Sequence, residues 1–304
     1  MTTHRAGFAA IVGRPNVGKS TLFNRLLGEK LAIVSPKPQT TRNRLLGVLT
    51  KPDVQVAFLD TPGLHAARGG INKAMVEAAL GALGDVDVAL HLIEANDDAR
   101  IHPPQLETAE LVARANKPTI LVVNKIDRIA KPRLLPLIAE WAKVHAWLEV
   151  FPLSAQTGEN VPEFVDLLAR YLPEGPELFP PDVLTDQAER SICAEYVREQ
   201  LIRLTHDEVP YGLAVEVEEF DESDRRETGG LVRIAACVLV ERDSQKGIVI
   251  GKRGALLKEA GTRARHEIER LLGCRVYLAL TVRVEKDWTQ RPNALRRLGY
   301  VPGG

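Results

Sequence analysis

The chain lacks the features that mark a disulfide-rich, zinc-binding or membrane-spanning protein. Its three cysteines, Cys193, Cys237 and Cys274, lie far apart, with no CxxC spacing. Neither a disulfide framework nor a zinc site is therefore indicated. No stretch approaches the roughly 18 apolar residues of a membrane span, and the N-terminus carries no apolar signal region. We expect a cytoplasmic protein with buried thiols.

The chain also lacks net charge, internal repeats and low-complexity tracts. The charges are unevenly distributed along the chain, because residues 246–304 carry 13 basic and 5 acidic side chains and follow an acidic stretch. A basic region of this size suggests a polyanion partner. A solvated surface of mixed charge explains the same count, so composition alone leaves both interpretations open.

Short apolar runs alternate with helical patterns in the first part of the chain. The runs cover residues 8–12, 54–59, 87–93, 118–123 and 147–153. This alternation is typical of a mostly parallel sheet flanked by helices in an α/β domain. Phosphate loops in such sheets lie at the carboxyl ends of the strands, so we expect the other chemical motifs there too.

A proline-rich stretch separates this part from the rest of the chain. Residues 171–182 contain four prolines and one glycine, a composition that neither a helix nor a central strand carries. Beyond it, the patterns predict helices over 185–205 and 254–272 and strands over 213–219, 231–240 and 275–284. We therefore predict a domain over 1–172, a linker over 173–184 and a second domain over 185–304.

Residues 13–20 read Gly-Arg-Pro-Asn-Val-Gly-Lys-Ser, a complete GxxxxGK[ST] phosphate-binding loop between an apolar run and a helical pattern. Backbone N–H groups of such a loop converge on an anion. Lys19 adds positive charge where the β- and γ-phosphates lie, and Ser20 gives its hydroxyl to Mg²⁺. The residues predicted to contact nucleotide here are Gly13, Asn16, Val17, Gly18, Lys19, Ser20 and Thr21.

Two further segments can complete the phosphate and metal site. Asp60-Thr-Pro-Gly63 follows the second apolar run. We expect Asp60 to bind the Mg²⁺ shell through water and the Gly63 N–H to meet the γ-phosphate. The polar segment 37–42 can fold over that phosphate, with Thr41 as the predicted Mg²⁺ ligand and Thr40 as the alternative. Lys19, Thr41 and Gly63 are the predicted catalytic residues.

Base selection is predicted at the next two strand ends. Asn124-Lys-Ile-Asp127 follows the run 118–123. The Asp127 carboxylate can accept two hydrogen bonds from guanine that adenine cannot donate. Asn124 is expected to hold the loop and reach N7, with the Lys125 stem under the base. Ser154-Ala155 ends the next strand and places the Ala155 N–H near the guanine oxygen.

The segments GRPNVGKS, KPQTTR, DTPG, NKID and SAQTG stand here in the order and approximate spacing of the Era family of GTPases, which the chain resembles from about residue 7 to its end. Leu64 follows Gly63, where many GTPases place a glutamine that orients the attacking water, so we expect slow intrinsic hydrolysis. Related families use an asparagine in the phosphate loop to hold K⁺, and Asn16 matches that position. The alternative is that Asn16 caps the loop.

The second domain contains a GxxG loop, Gly251-Lys252-Arg253-Gly254, before a long amphipathic helix that carries Lys258. Glycines let the backbone approach phosphates, and basic residues supply charge, as in a KH module that clamps single-stranded RNA. The chain therefore resembles an α/β P-loop GTPase domain followed by an α+β type II KH domain. Trp288 and Tyr300 can stack bases or pack in the core, and the sequence leaves both open.

The resemblance implies a GTPase that binds the 3′ end of small-subunit ribosomal RNA and acts in assembly of the 30S subunit. It implies GTP/GDP and Mg²⁺ as ligands, and we expect a monomer. Family members are often found partly at the inner face of the cell membrane, although this chain shows no clear anchor. The alternative functions are a P-loop ATPase or kinase, an RNA-binding protein without hydrolysis, and a GTPase whose second domain binds a protein or membrane partner.

Overall fold

The computed structural model describes residues 4–38, 40–64, 70–96, 98, 100–226 and 229–300. The chain divides into two compact units. The first unit comprises Met1–Ala32, Thr41–Arg68 and Asn72–Asp186, and the second comprises Ile33–Thr40, Gly69–Ile71 and Gln187–Gly304. A short segment from the first part of the chain, residues 33–40, thus belongs to the second unit.

The first unit is a six-stranded sheet flanked by helices. The strands are β1 Arg5–Gly13, β2 Leu45–Lys51, β3 Val54–Asp60, β4 Val88–Glu94, β5 Thr119–Asn124 and β6 Glu149–Pro152. The strand order in the sheet is β2-β3-β1-β4-β5-β6, and only β2 runs antiparallel to its neighbour. The helices are α1 Lys19–Leu27, α2 Gly70–Gly84, α3 Pro103–Arg114, α4 Lys131–Trp141 and α5 Val161–Ala169.

Burial on both faces explains why the apolar runs form this sheet. Every residue of β3 and of β5 is buried, and the five predicted runs correspond to β1, β3, β4, β5 and β6. Strand β2 was not predicted; it is an edge strand of mixed polarity whose last three residues are only half-buried. Such an edge strand does not show the continuous apolar run of a central parallel strand.

The proline-rich segment lies on the first unit. The buried side chain of Gln55 on β3 accepts the N–H groups of Leu178 and Phe179 at 2.7 and 2.9 Å and donates to the Phe179 carbonyl at 2.8 Å. The rings of Phe8 and Phe179 meet edge to face with centroids 6.1 Å apart. Main-chain pairing continues to Leu184, whose carbonyl accepts the Val48 N–H at 2.8 Å. The residues predicted as a linker are therefore anchored by specific hydrogen bonds.

The second unit has the element order helix, strand, strand, helix, helix, strand, which is the order expected for a type II KH domain. Strands β7 and β8 are antiparallel, β8 and β9 are parallel, and the sheet order is β7-β8-β9. The elements are α6 Glu189–Leu204, β7 Ala214–Asp224, β8 Leu231–Val240, α7 Asp243–Ile250, α8 Ala255–Leu272, β9 Arg275–Val284 and a final α9 Pro292–Arg297.

Helix α7 was not predicted from the sequence. Its apolar residues Ile248, Val249 and Ile250 stand together at the C-terminal end of the helix, and Val249 alone of the three is fully buried. Three adjacent apolar residues lack the 3.6-residue spacing that identifies a helix. Among the described residues of both units, no helix is long and apolar enough to cross a membrane.

We predict that His91 makes the first unit sensitive to mild acid. His91 on β4 is buried beside the rings of Trp141 and Trp147, and burial lowers its pKa from 6.5 to about 3. The unfolded chain therefore takes up a proton near pH 6.5, whereas the folded chain does so only near pH 3. Stability falls as pH drops through this window, and at pH 5 the loss amounts to about 2 kcal/mol.

Urea unfolding of wild type and of His91→Leu at pH 7 and pH 5 tests this prediction. The variant should lose about 2 kcal/mol less than wild type between the two pH values. An identical loss in wild type and His91→Leu would show that another group titrates.

Candidate nucleotide-binding and RNA-binding sites

The phosphate loop joins the carboxyl end of β1 to the first turn of α1, which contains Thr21. Gly18 precedes the helix with φ 102°, and a Cβ there would lie 2.2 Å from Nδ2 of Asn124. Only glycine fits, because the backbone is in a region that other residues avoid and the Asn124 amide lies against it. Gly18 therefore lets the loop and the base-selection segment pack in direct contact.

Lys19 lies inside this loop. Its side chain is buried, and Nζ donates to the carbonyls of Gly13 at 3.2 Å and Arg14 at 3.0 Å. Burial lowers the pKa of Lys19 to about 8, and the nearby Asp60 carboxylate partly offsets this effect. A polyanion such as a triphosphate favours the charged form, so its binding and the ammonium charge reinforce each other.

Three oxygen-bearing side chains converge at the start of α1. Ser20 Oγ lies 2.7 Å from Asp60 Oδ2 and 2.8 Å from Thr41 Oγ1, and Thr41 Oγ1 lies 3.4 Å from the same carboxylate oxygen. Burial raises the pKa of Asp60 to about 6, although Lys19 and the two hydroxyls lower it. The other carboxylate oxygen, Oδ1, is buried and has no hydrogen-bond partner among the residues that the structure describes.

These residues fit a magnesium ion. Hydroxyl and carboxylate oxygens are the ligands that Mg²⁺ prefers, and a cation would compensate the buried, unpaired oxygen of Asp60. The hydroxyl of Thr40 instead donates to the Lys37 carbonyl at 2.9 Å. The geometry therefore favours Thr41 over Thr40 as the threonine ligand.

Gly63 and Leu64 pack beneath the phosphate loop. A Cβ on Gly63 would lie 2.7 to 2.9 Å from atoms of Pro15, so the backbone at residue 63 lies directly against the loop. The N–H of Leu64 donates to the Gly13 carbonyl at 3.0 Å, and its side chain is fully buried in the core. Leu64 therefore offers no polar group to an attacking water.

Asn124 connects the phosphate loop to the two base-selection segments. Its Nδ2 donates to the Val17 carbonyl at 2.8 Å, and its Oδ1 accepts the Ala155 N–H at 2.9 Å. The structure thus shows the loop-holding part of the role expected for Asn124. The contacts of Asn124 with N7 and of the Ala155 N–H with a guanine oxygen stay predictions.

Asp127 is held in place by Ser154. The Ser154 hydroxyl donates to Asp127 Oδ1 at 2.5 Å and accepts the Thr157 N–H at 3.1 Å. Ser154 is fully buried, whereas Asp127 is exposed at the end of the loop. A fixed but accessible carboxylate suits the recognition of a guanine edge.

Lys125 reaches across to the phosphate loop. Its Nζ donates to the Asn16 carbonyl at 2.7 Å and lies 2.8 Å from the Glu94 carboxylate. The backbone of Asn16 is in the left-handed region, with φ 65°. The Lys125 stem therefore spans the gap between the two loops, where we expect the base.

The GxxG loop joins two helices of the second unit. Helix α7 ends at Ile250, the turn covers residues 251–254, and α8 begins at Ala255. Lys252, Arg253 and Lys258 are exposed, and among the described residues no acidic side chain lies within ion-pair distance of them. Their charges are available to phosphates.

Comparison with known proteins identifies the family. The GTPase Era of Geobacter metallireducens is 52% identical over 297 residues, 98% of each chain. That of Staphylococcus haemolyticus is 44% identical over 302 residues, 99% of each chain. The chain belongs to the Era family of GTPases.

Structural and domain-level comparisons agree with the Era assignment. A crystal structure of Era in complex with MgGDPNP and nucleotides 1506–1542 of 16S ribosomal RNA has a TM-score of 0.93 at 43% identity, covering 98% of this chain and 100% of that one. Aquifex aeolicus Era bound to GDP·AlF4⁻ has a TM-score of 0.92 at 42% identity, with the same coverage. Family models match residues 8–125, as a 50S ribosome-binding GTPase, and residues 208–289, as a KH domain. The predicted fold class is confirmed.

A groove next to the GxxG loop adds an apolar surface to the KH part of this Era-family chain. It lies between α8 and β9 and has a volume of about 330 Å³. Leu257, Leu278 and Leu280 contribute apolar surface, and Lys258 and Arg265 contribute charge. Apolar surface beside basic side chains suits unstacked bases with their phosphates.

Trp288 and Tyr300 pack in the core. Trp288 is fully buried, its Nε1 donates to the Gly212 carbonyl at 3.0 Å, and the two rings lie 5.8 Å apart. Tyr300 is 6% exposed. The structure thus decides between the two interpretations, because a buried ring cannot stack on a nucleotide base.

Two further residues, which the sequence did not point to, support the segments expected to bind the base. Arg25 on α1 donates to the carbonyls of Ala155 at 3.1 Å and Gln156 at 2.6 Å. Glu94 pairs with Lys125. Glu94 follows the apolar run 87–93 at a strand end, so the reasoning used for Asp60 could have found it. No motif marks Arg25, because its partners are backbone atoms of a distant loop.

We predict that Asp127→Asn shifts base preference from guanine to xanthine. An amide at this position donates a hydrogen bond to the second carbonyl of xanthine, whereas it loses one acceptor for guanine. Competition of GTP and xanthosine triphosphate against a fluorescent nucleotide should show preference reversed by about 100-fold or more.

Asp166→Asn is the matched control, because Asp166 is exposed on α5 and pairs only with Lys51 among the described residues. This variant should keep the wild-type preference for GTP. Retention of that preference by Asp127→Asn would place base recognition elsewhere.

Proposed function

We propose that this Era-family protein binds and hydrolyses GTP, binds the 3′ end of small-subunit ribosomal RNA, and acts in assembly of the 30S subunit in the cytoplasm. The observation that carries the proposal is the presence of two separate anion sites in one chain. One is the phosphate loop with the buried Lys19, next to the cluster of Ser20, Thr41 and Asp60 that fits Mg²⁺. The other is the exposed basic GxxG loop beside a groove lined by leucine and basic side chains.

The nucleotide site supports hydrolysis through positioning and charge. Lys19 would contact the β- and γ-phosphates, and the backbone at Gly63 the γ-phosphate. Ser20 and Thr41 would hold Mg²⁺ directly and Asp60 through water. The metal would neutralise negative charge on the phosphates. Because Leu64 is buried and apolar, slow hydrolysis by the isolated protein remains the expectation.

The RNA partner is supported by the solved Era complex with nucleotides 1506–1542 of 16S ribosomal RNA. The residues proposed to contact RNA are Gly251, Lys252, Arg253, Gly254 and Lys258. Binding through phosphates predicts an affinity that falls steeply with salt. If the second unit binds a protein partner instead, it should show no salt-dependent affinity for single-stranded RNA.

Two substitutions separate the sites. Lys19→Ala should abolish binding of GTP and leave RNA binding mostly intact, because it removes the charge within the phosphate loop. Gly254→Asp should reduce RNA affinity at least tenfold, since a carboxylate enters the basic loop at a residue with φ 80°. Fluorescent nucleotide titration and filter binding of a 16S 3′-end oligonucleotide measure the two affinities on each variant.

Controls for this pair are Lys73→Ala and Gly81→Asp, both on α2 outside either site. Lys73 is exposed, and a Cβ on Gly81 meets no atom within 4 Å. Loss of both activities in either site variant, with the controls intact, would contradict the proposed division of labour.

We also predict that K⁺ accelerates GTP hydrolysis relative to Na⁺. Asn16 stands in the phosphate loop where related families hold this ion, which supplies the positive charge of a missing arginine finger. The rate of single-turnover hydrolysis in about 100 mM KCl should exceed the rate in NaCl at the same concentration. Asn16→Ala should remove the difference. Equal wild-type rates in both salts would leave Asn16 with the loop-capping role alone.

A further inference from the structure

Arg25 connects helix α1 to the loop that follows β6. It lies in the last turn of α1, and its guanidinium group donates from Nε to the Ala155 carbonyl at 3.1 Å and from Nη2 to the Gln156 carbonyl at 2.6 Å. Among the described residues, no other donor bonds to these two carbonyls. The planar fork of arginine suits two successive acceptors, whereas the ammonium group of lysine has a single nitrogen.

The loop that Arg25 holds is a closed turn. The Gly158 N–H donates to the Ser154 carbonyl at 2.8 Å, and the Ser154 N–H donates to the Glu159 carbonyl at 3.0 Å. Gly158 has φ 90°, and a Cβ there would lie 3.8 Å from Nη1 of Arg25. The guanidinium group therefore packs along the turn as well as bonding to it.

Ala155 is held from both sides. Its N–H donates to Asn124 Oδ1 at 2.9 Å, and its carbonyl accepts the Arg25 Nε–H. Because peptide groups are planar, these two contacts fix the peptide planes on either side of the Ala155 Cα. An N–H can be shared between two acceptors in a three-centre hydrogen bond, so the bond to Asn124 leaves this donor able to meet a guanine oxygen.

The same contacts return to the phosphate loop. Asn124 donates to the Val17 carbonyl at 2.8 Å, and α1 begins two residues later at Lys19. The contacts therefore form a closed ring that runs from the phosphate loop through Asn124, Ala155 and Arg25 to α1. All of these residues belong to the first unit. Helix α1 thus joins the phosphate side of the nucleotide site to the base side.

We propose that Arg25 is a positioning residue for guanine specificity, which holds the Ala155 N–H in the direction needed for the carbonyl oxygen of guanine. The inference rests on the proposed binding of GTP. Asp127, which is expected to bind the amino group of guanine, is held separately by the Ser154 hydroxyl at 2.5 Å. Loss of the Arg25 contacts therefore weakens recognition of the oxygen and leaves recognition of the amino group unchanged.

A purely structural role makes a different prediction. Arg25 stands in the last turn of α1, where the helix dipole favours a cation. If it only stabilises the end of that helix, its loss weakens the binding of every guanine-like nucleotide to the same degree.

Two analogues of GTP separate these roles. In 6-thioguanosine triphosphate, sulfur replaces the carbonyl oxygen and accepts hydrogen bonds more weakly, and the amino group is kept. Inosine triphosphate keeps the oxygen and lacks the amino group. The preference for GTP over the first analogue thus reports on the oxygen, and the preference over the second reports on the amino group.

The experiment uses the full chain and the variants Arg25→Met and Arg25→Lys. The methionine variant removes the donors and keeps an unbranched side chain, whereas the lysine variant keeps the charge and one donor nitrogen. Arg114→Met is the matched control, because Arg114 is exposed on α3 and lies 3.9 Å from Glu110. Isothermal titration calorimetry with Mg²⁺ measures the affinity of each variant for GTP and for both analogues, and urea unfolding measures stability.

We expect Arg25→Met to bind GTP about tenfold more weakly and 6-thioguanosine triphosphate only about twofold more weakly, so the preference for the oxygen falls roughly fivefold. The preference for GTP over inosine triphosphate should stay at the wild-type value. Arg25→Lys should recover part of the lost preference, and Arg114→Met should match wild type throughout.

Equal losses for all three nucleotides in Arg25→Met, or an unchanged preference for GTP over its thio analogue, would overturn the inference. Equal binding of GTP and the thio analogue by wild type would also overturn it, because the oxygen would then make no contact for Arg25 to position. Failure of wild type to bind any guanine nucleotide, or equal binding of ATP and GTP, would instead contradict the proposed function.

Discussion

The buried carboxylate of Asp60 is the interaction on which the nucleotide site depends. It ends β3, accepts the hydroxyls of Ser20 and Thr41, and lies close enough to Lys19 for each to shift the pKa of the other. These groups come from three different segments, and one carboxylate holds them together. Within the described part of the chain, a second oxygen of the same group is buried without a partner. A cation would compensate that cost, which supports the proposal that this site binds a metal–phosphate complex.

Parallel strand order brings these groups together. Strands β1, β3, β5 and β6 are parallel and end at the same edge of the sheet. The loops that follow these strands therefore converge at that edge, although they are far apart in the sequence. Asn124 then joins three of these loops through its side-chain amide. The same principle does not organise the second unit, where the basic loop lies between two helices and its charges are left exposed.

The sequence predicted those parts of the molecule in which local pattern decides structure. The buried strands of the first unit followed from short apolar runs, and the site motifs from their positions at strand ends. Strand β2 and helix α7 were missed because an edge strand and three adjacent apolar residues lack the relevant periodicity. Arg25 was missed for another reason: it binds backbone carbonyls of a distant loop, and a backbone partner cannot be recognised from residue type.

A crystal structure of the protein with Mg²⁺ and a non-hydrolysable GTP analogue would show which residues hold the metal and the base. We expect one metal about 2.1 Å from the hydroxyl oxygens of Ser20 and Thr41, with a water between the metal and Asp60 and the guanine edge on the Asp127 carboxylate. Coordination of the metal by Thr40, or directly by Asp60 without Thr41, would contradict this assignment.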